Sequence, residues 1–116
     1  NMDKDRPIEE VCALLKSLLK DDANQIIFCT GRVEDYREKT IEQINKILKG
    51  SKNIDIDSCL YMRPKGDYRK DFMVKRDLYK RMIVDGFHPV LVFEDKITVV
   101  EMWKEMGLKC LRITGA

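Results

Sequence analysis

Strand-like and helix-like segments alternate along the whole of this sequence, and that alternation narrows the fold more than any other feature. QIIFCT at residues 25–30 is short, continuous and apolar, which marks a buried strand. SCLYM at 58–62, HPVLVF at 88–93 and KCLRI at 109–113 have the same character. Each follows a stretch with helical signals. Asp5, Arg6 and Pro7 open the first, an acidic cap candidate followed by proline where a missing N–H does no harm. Ile8, Val11, Cys12, Leu15, Leu18 and Leu19 then form one apolar stripe. Further helices are expected over residues 34–49, closed by Gly50, over 71–83, and over 98–106, closed by Gly107. The order α-β-α-β-α-β-α-β predicts an α/β fold, a three-layer Rossmann-like parallel sheet flanked by helices. Ligands of such sheets sit at the carboxyl ends of the strands. Thr30, Gly31 and Arg32 fall at one such end, and Glu94 and Asp95 at another.

A chain of 116 residues is expected to form one domain over residues 1–116. No apolar run approaches the length of a membrane span and no signal-peptide pattern opens the sequence, so a cytoplasmic protein with no membrane partner is expected. Cys12, Cys29, Cys59 and Cys110 are widely spaced without a CxxC pair, which reads as buried thiols in a reducing compartment. His88 is the single histidine, leaving little room for histidine-based metal or triad chemistry. The formal net charge of +2 does not by itself argue for nucleic acid. Locally, Arg63, Lys65, Arg69, Lys70, Lys75, Arg76 and Lys80 face Asp67, Asp71 and Asp77, a run that a solvated surface also explains.

Three clusters carry chemistry. In Thr30-Gly31-Arg32 a hydroxyl, a glycine and an arginine suit an oxyanion cradle: the hydroxyl donates, the glycine admits close approach, and the guanidinium grips phosphate with two parallel bonds. An ordinary strand-to-helix turn has the same composition. Asp71 and Lys75 stand four apart on a helix, either as a surface ion pair or as a lysine that neutralises phosphate and is held by the aspartate. Glu94-Asp95 ends an apolar strand, which suits magnesium, although acidic residues also favour the start of the next helix. Arg63 and Tyr68, in the polar loop after the second strand, are placed to reach a substrate, and Trp103 has core spacing.

Taken in order, the segments RPIEEVCALLKSL, IIFCTGRVEDYRE, LYMRPKGDYRKDFMVK, VFEDK and VVEMWKEMGLKC resemble the haloacid dehalogenase superfamily. Within it they resemble the phosphatase domain of bacteriophage-type polynucleotide kinase/3′-phosphatases. The likeness spans residues 6–110. It implies a phosphohydrolase that uses Mg2+ and an aspartyl-phosphate intermediate. It also implies that Thr30 binds a phosphoryl oxygen, that Arg32 contacts phosphate beside Gly31, and that Lys75 is the conserved-role lysine supported by Asp71. Glu94 and Asp95 take the place of the magnesium-binding acidic pair, where Asp-Asp is commoner. The substrate implied is a phosphorylated nucleotide or nucleic-acid end.

The same resemblance expects a first motif, an apolar strand ending in Asp-x-Asp-Gly-Thr, ahead of the helix that begins near Pro7. Only six residues precede Pro7. The expectation is therefore a domain incomplete at its N-terminus, without the central first strand and its nucleophile, and inactive alone. Asp55-Ile56-Asp57-Ser58 imitates the motif but lacks the apolar strand before it and has serine where glycine is usual, so neither aspartate is assigned as nucleophile. Either the flanking strands pair directly, or a homodimer partner or complementing polypeptide fills the gap. A non-catalytic module that binds phosphate or nucleic-acid ends is the alternative reading.

Overall fold

The computed structural model describes residues 9–51 and 53–113; the helix start expected at Asp5, Arg6 and Pro7 lies outside them. The elements are α1 (Glu9–Leu19), β1 (Phe28–Val33), α2 (Arg37–Ile47), β2 (Leu60–Arg63), α3 (Asp71–Val84), β3 (Leu91–Glu94), α4 (Ile97–Glu105) and β4 (Lys109–Arg112). Short 3-10 turns, Glu34–Tyr36 and Ile56–Cys59, lead into α2 and β2. The chain is mixed α/β with a Rossmann-like order of elements, but its sheets are short. β1 pairs with β2, and β3 pairs with β4 in parallel, with Leu91 opposite Lys109 and Glu94 opposite Arg112. The two pairs do not join into one four-stranded sheet among the described residues.

The residues divide into two compact units. The first comprises Tyr36–Leu60 with the described residues up to Phe28. Its buried residues include Leu19, Ile44, Leu48 and Ile56. Arg37 braces α2 against the following 3-10 turn: its guanidinium donates to the Asp57 carboxylate at 3.0 Å and to the Leu60 carbonyl at 2.9 Å. Asp55 accepts from the Ser58 hydroxyl at 2.6 Å. Both aspartates of the imitation motif thus serve the local turn.

The second unit comprises Cys29–Asp35 with the described residues from Tyr61 onward, and it holds every candidate site residue. Val74, Leu78 and Met82 recur every four residues on α3 and are buried, which is why this strongly charged segment folds as a helix against apolar neighbours. On α4 the buried residues are Val99, Val100, Met102 and Trp103, and α4 packs on β3, β4 and α3. Tyr79 meets Trp103 edge to face at 5.9 Å between ring centroids. Gly107, at φ +87°, reverses the chain after α4 so that Leu108 N–H reaches the Trp103 carbonyl at 3.0 Å and β4 returns beside β3.

Every strand but the last starts later than the sequence suggests; for the second, Ser58 and Cys59 belong to the 3-10 turn and β2 begins at Leu60. The first strand is shifted toward the C-terminus, to Phe28–Val33, so Gly31 lies within the strand and does not end it. β3 begins at Leu91; His88, Pro89 and Val90 lead into it outside the ladder. Apolar content marks burial in these places, whereas hydrogen-bonded partners fix where pairing starts.

Candidate active site

The site is assembled where β1, β3 and the start of α3 bring charged residues together. Within β1, the Thr30 hydroxyl oxygen accepts the Arg32 backbone N–H at 3.2 Å. That bond occupies an acceptor lone pair and leaves the hydroxyl hydrogen available to donate to an anion. Gly31 is required by what crosses it: a Cβ there would lie 2.7 Å from Asp71 Oδ1. The close approach expected of this glycine is therefore made by a carboxylate of the protein itself.

Asp71 opens α3 and is bound by two cations. Arg63 Nη2 donates to Oδ1, and Lys96 Nζ donates to Oδ2 at 3.0 Å. Partial burial alone would raise the Asp71 pKa, but the hydrogen bond and charge of Lys96, joined by Lys75 and Arg63, outweigh it and hold the carboxyl below its ordinary range. Arg63 is a clamp as well as a counter-charge. Its Nε donates to the Gly31 carbonyl at 2.8 Å, and its Nη1 to the carbonyls of Asp67 at 3.1 Å and Arg69 at 2.6 Å. One guanidinium thus joins the middle of β1, the loop after β2 and the first turn of α3.

Lys75 turns away from Asp71 to a different partner. Its Nζ donates to Glu94 Oε1 at 3.0 Å, with side chains only 10% and 8% exposed. Sequence spacing suggested that Asp71 holds the lysine; the helix instead aims Asp71 toward β1 and Lys75 toward the end of β3. The Trp103 indole N–H donates to the same Glu94 Oε1 at 3.2 Å, and the Asp95 N–H to Oε2 at 3.2 Å. Three of the roughly four acceptor sites of Glu94 are thus used within the protein, both of those on Oε1. Beneath it, burial pushes the Cys29 thiol up to about 12, against the lowering effect of Lys75.

Asp95 is exposed, and among the described residues no hydrogen bond or ion pair reaches its carboxylate. The helix-capping alternative is not realised, because Lys96 is the N-cap of α4 and makes no side-chain cap bond. Magnesium needs one or two carboxylates plus water and substrate oxygens. Asp95 meets that need. Glu94 gives Oε1 to Lys75 and Trp103 and keeps a lone pair on Oε2, and no group of three or more metal-ligating side chains occurs among the described residues.

The structure joins Gly31 to Asp71 and Lys75 to Glu94, with Thr30 and Arg32 on either side of Gly31. Sequence reasoning did not assign Lys96 to the site, nor Trp103 as a partner of Glu94. A lysine at a helix start carries no local signal, and an indole at core spacing gives no hint that its N–H is used. All four cysteines are free thiols; Cys59 is buried and the other three are half-buried. No helix among the described residues is long and apolar enough to cross a membrane.

An α/β chain with a hydroxyl and an arginine on β1, a buried lysine on α3 and acidic residues where β3 ends has the makings of a phosphoryl-handling domain. The family model for the polynucleotide kinase PNKP phosphatase domain matches residues 1–116, and the chain belongs to that family. It is also 33% identical over 84 residues to the "Putative bifunctional polynucleotide kinase/RNA ligase" of Autographa californica nuclear polyhedrosis virus. That match covers 72% of this chain and 11% of the viral protein.

Proposed function

We propose that this chain binds the phosphorylated 3′ end of a nucleic-acid strand, as the phosphoryl-binding part of a magnesium-dependent 3′-phosphatase. The observation that carries the reading is Lys75: a buried ammonium, oriented by Glu94, on the helix whose first residue crosses Gly31. Thr30 donates its hydroxyl hydrogen to a phosphoryl oxygen, and Arg32 supplies paired guanidinium donors. Lys75, with one N–H committed to Glu94, turns its remaining donors to the charge on the phosphoryl group, where exclusion of water strengthens them. Asp95 is the carboxylate assigned to Mg2+, which when bound would neutralise phosphoryl oxygen charge. Glu94 keeps to positioning Lys75. The name of the viral relative supports a polynucleotide over a small phosphoester.

As a chain of these 116 residues the protein binds without turnover. Asp71 is engaged by two cations and Glu94 by Lys75, while Asp55 and Asp57 serve a turn in the other unit. The strand edges that lack ladder partners among the described residues support completion of the sheet by a strand from another polypeptide segment. The test is magnesium-dependent phosphate release from a 3′-phosphorylated oligonucleotide, alongside binding of the same oligonucleotide, with Lys75→Ala as control. Binding that weakens in the control, with no release, is expected. Release that disappears in the control would refute binding without turnover and make Asp55 the first residue to change. Binding that is absent, or indifferent to Lys75, would refute the site.

A further inference from the structure

We propose that Tyr68 is a stacking platform for a nucleobase of the strand whose phosphorylated end occupies the Thr30 and Arg32 cradle, with Lys65 and Lys70 contacting its backbone phosphates. The inference rests on the nucleic-acid reading above and adds how the strand, as distinct from its terminal phosphate, is held.

Tyr68 stands in the loop of residues 64–70 between β2 and α3, and it is 94% exposed. Loops usually present side chains on a yielding backbone. This one is braced on both sides of the tyrosine. The Asp67 N–H closes a turn on the Pro64 carbonyl at 3.1 Å, made accessible by Gly66 at φ +81°. The Asp67 carboxylate accepts the Arg69 backbone N–H at 3.1 Å and its side-chain Nη2 at 2.8 Å. Arg69 also reaches Asp77 on α3 at 2.8 Å. Arg63 then donates to the carbonyls of Asp67 and Arg69, the residues directly before and after Tyr68. A phenol ring that buries almost nothing is thereby held on a fixed backbone, which removes much of the ordering cost of contacting it.

Placement and charge select the partner. The guanidinium that fixes the loop also donates to the Gly31 carbonyl, so one side chain separates the base of Tyr68 from the phosphate cradle. The arginines of the loop are neutralised within the protein, Arg63 by Asp71 and Arg69 by Asp67 and Asp77. Lys65 and Lys70 are exposed and have no ion-pair partner among the described residues, so the loop tip is cationic around an open aromatic face. A single-stranded polyanion with π-faces fits that combination, and stacking accepts any base.

The test measures binding of a labelled, single-stranded 3′-phosphorylated oligonucleotide across a salt series, and of inorganic phosphate, by the full chain and its variants. Tyr68→Ala is expected to weaken oligonucleotide binding about tenfold at every salt concentration, leaving the salt slope and phosphate affinity unchanged. Tyr68→Trp should retain or improve affinity. Lys65→Ala and Lys70→Ala should each flatten the salt slope by about 0.7. Oligonucleotide binding that is the same in Tyr68→Ala and the parent overturns the platform while sparing the nucleic-acid reading. A parent chain that binds phosphate but not oligonucleotide overturns both.

Discussion

Replacing Glu94 by alanine tests whether Lys75 is held as the structure shows. The change leaves a lysine at 10% side-chain exposure without its counter-charge. Breaking a buried pair from one side costs about 3–5 kcal/mol, because the remaining charge stays desolvated. The Trp103 N–H loses its acceptor as well, a further loss of about 1 kcal/mol. With a urea dependence of about 2 kcal/mol per molar, the unfolding midpoint should fall by about 2–3 M. Trp103 is the sole tryptophan and touches Glu94 directly, so its fluorescence follows both unfolding and the local change. Glu94→Gln keeps an acceptor for both donors and should lose about half as much. The pair Lys75→Met with Glu94→Leu removes both charges and should lie within about 1 kcal/mol of the parent. A midpoint shift below about 0.5 M for Glu94→Ala, or a double variant as unstable as the single one, would refute the buried pair.

Gly31→Ala should cost about 1–3 kcal/mol, since its Cβ displaces the Asp71 carboxylate and loosens its bonds to Arg63 and Lys96; thermal unfolding reads the loss, and a change under about 0.5 kcal/mol would contradict the close approach. Asp67 is held at about 2, chiefly by the Arg69 side chain, against an ordinary value of 3.8. A depressed carboxylate pKa means that the unfolded chain binds more protons, so the contribution is present above about pH 4 and disappears as pH falls toward 2. Urea midpoints measured across that window should fall more steeply for the parent than for Asp67→Asn. The Cys29 thiol, raised to about 12 by burial, should resist alkylation at pH 8 in the folded protein and react at an ordinary rate in urea, as read by mass spectrometry of the labelled peptides.

How much of this was legible in the sequence depended on whether a signal was local. Periodicity located all four helices that the structure describes, and apolar runs located the four strands, although β1 is displaced from 25–30 to Phe28–Val33. The displacement arises because Ile26 and Ile27 are apolar enough to read as strand while pairing is decided by β2. The separation into two strand pairs is likewise nonlocal. At the site, spacing joined Asp71 to Lys75, yet their bonded partners lie elsewhere: Lys96 and Arg63 for the aspartate, Glu94 for the lysine. Helical spacing shows which residues share a face; it does not show what that face meets. Glu94 and Asp95 are adjacent in sequence, yet the first is buried against a lysine and an indole and the second is exposed, a difference that adjacency does not reveal.

The central claim is recognition of a terminal phosphate by the β1 cradle and Lys75, and the most direct measurement compares two oligonucleotides of one sequence, ending in a 3′-phosphate or a 3′-hydroxyl. The account predicts tighter binding of the phosphorylated strand, by about tenfold or more, and loss of that preference in Arg32→Ala and Lys75→Ala. Equal affinity for the two ends, or a preference that survives both substitutions, would contradict it.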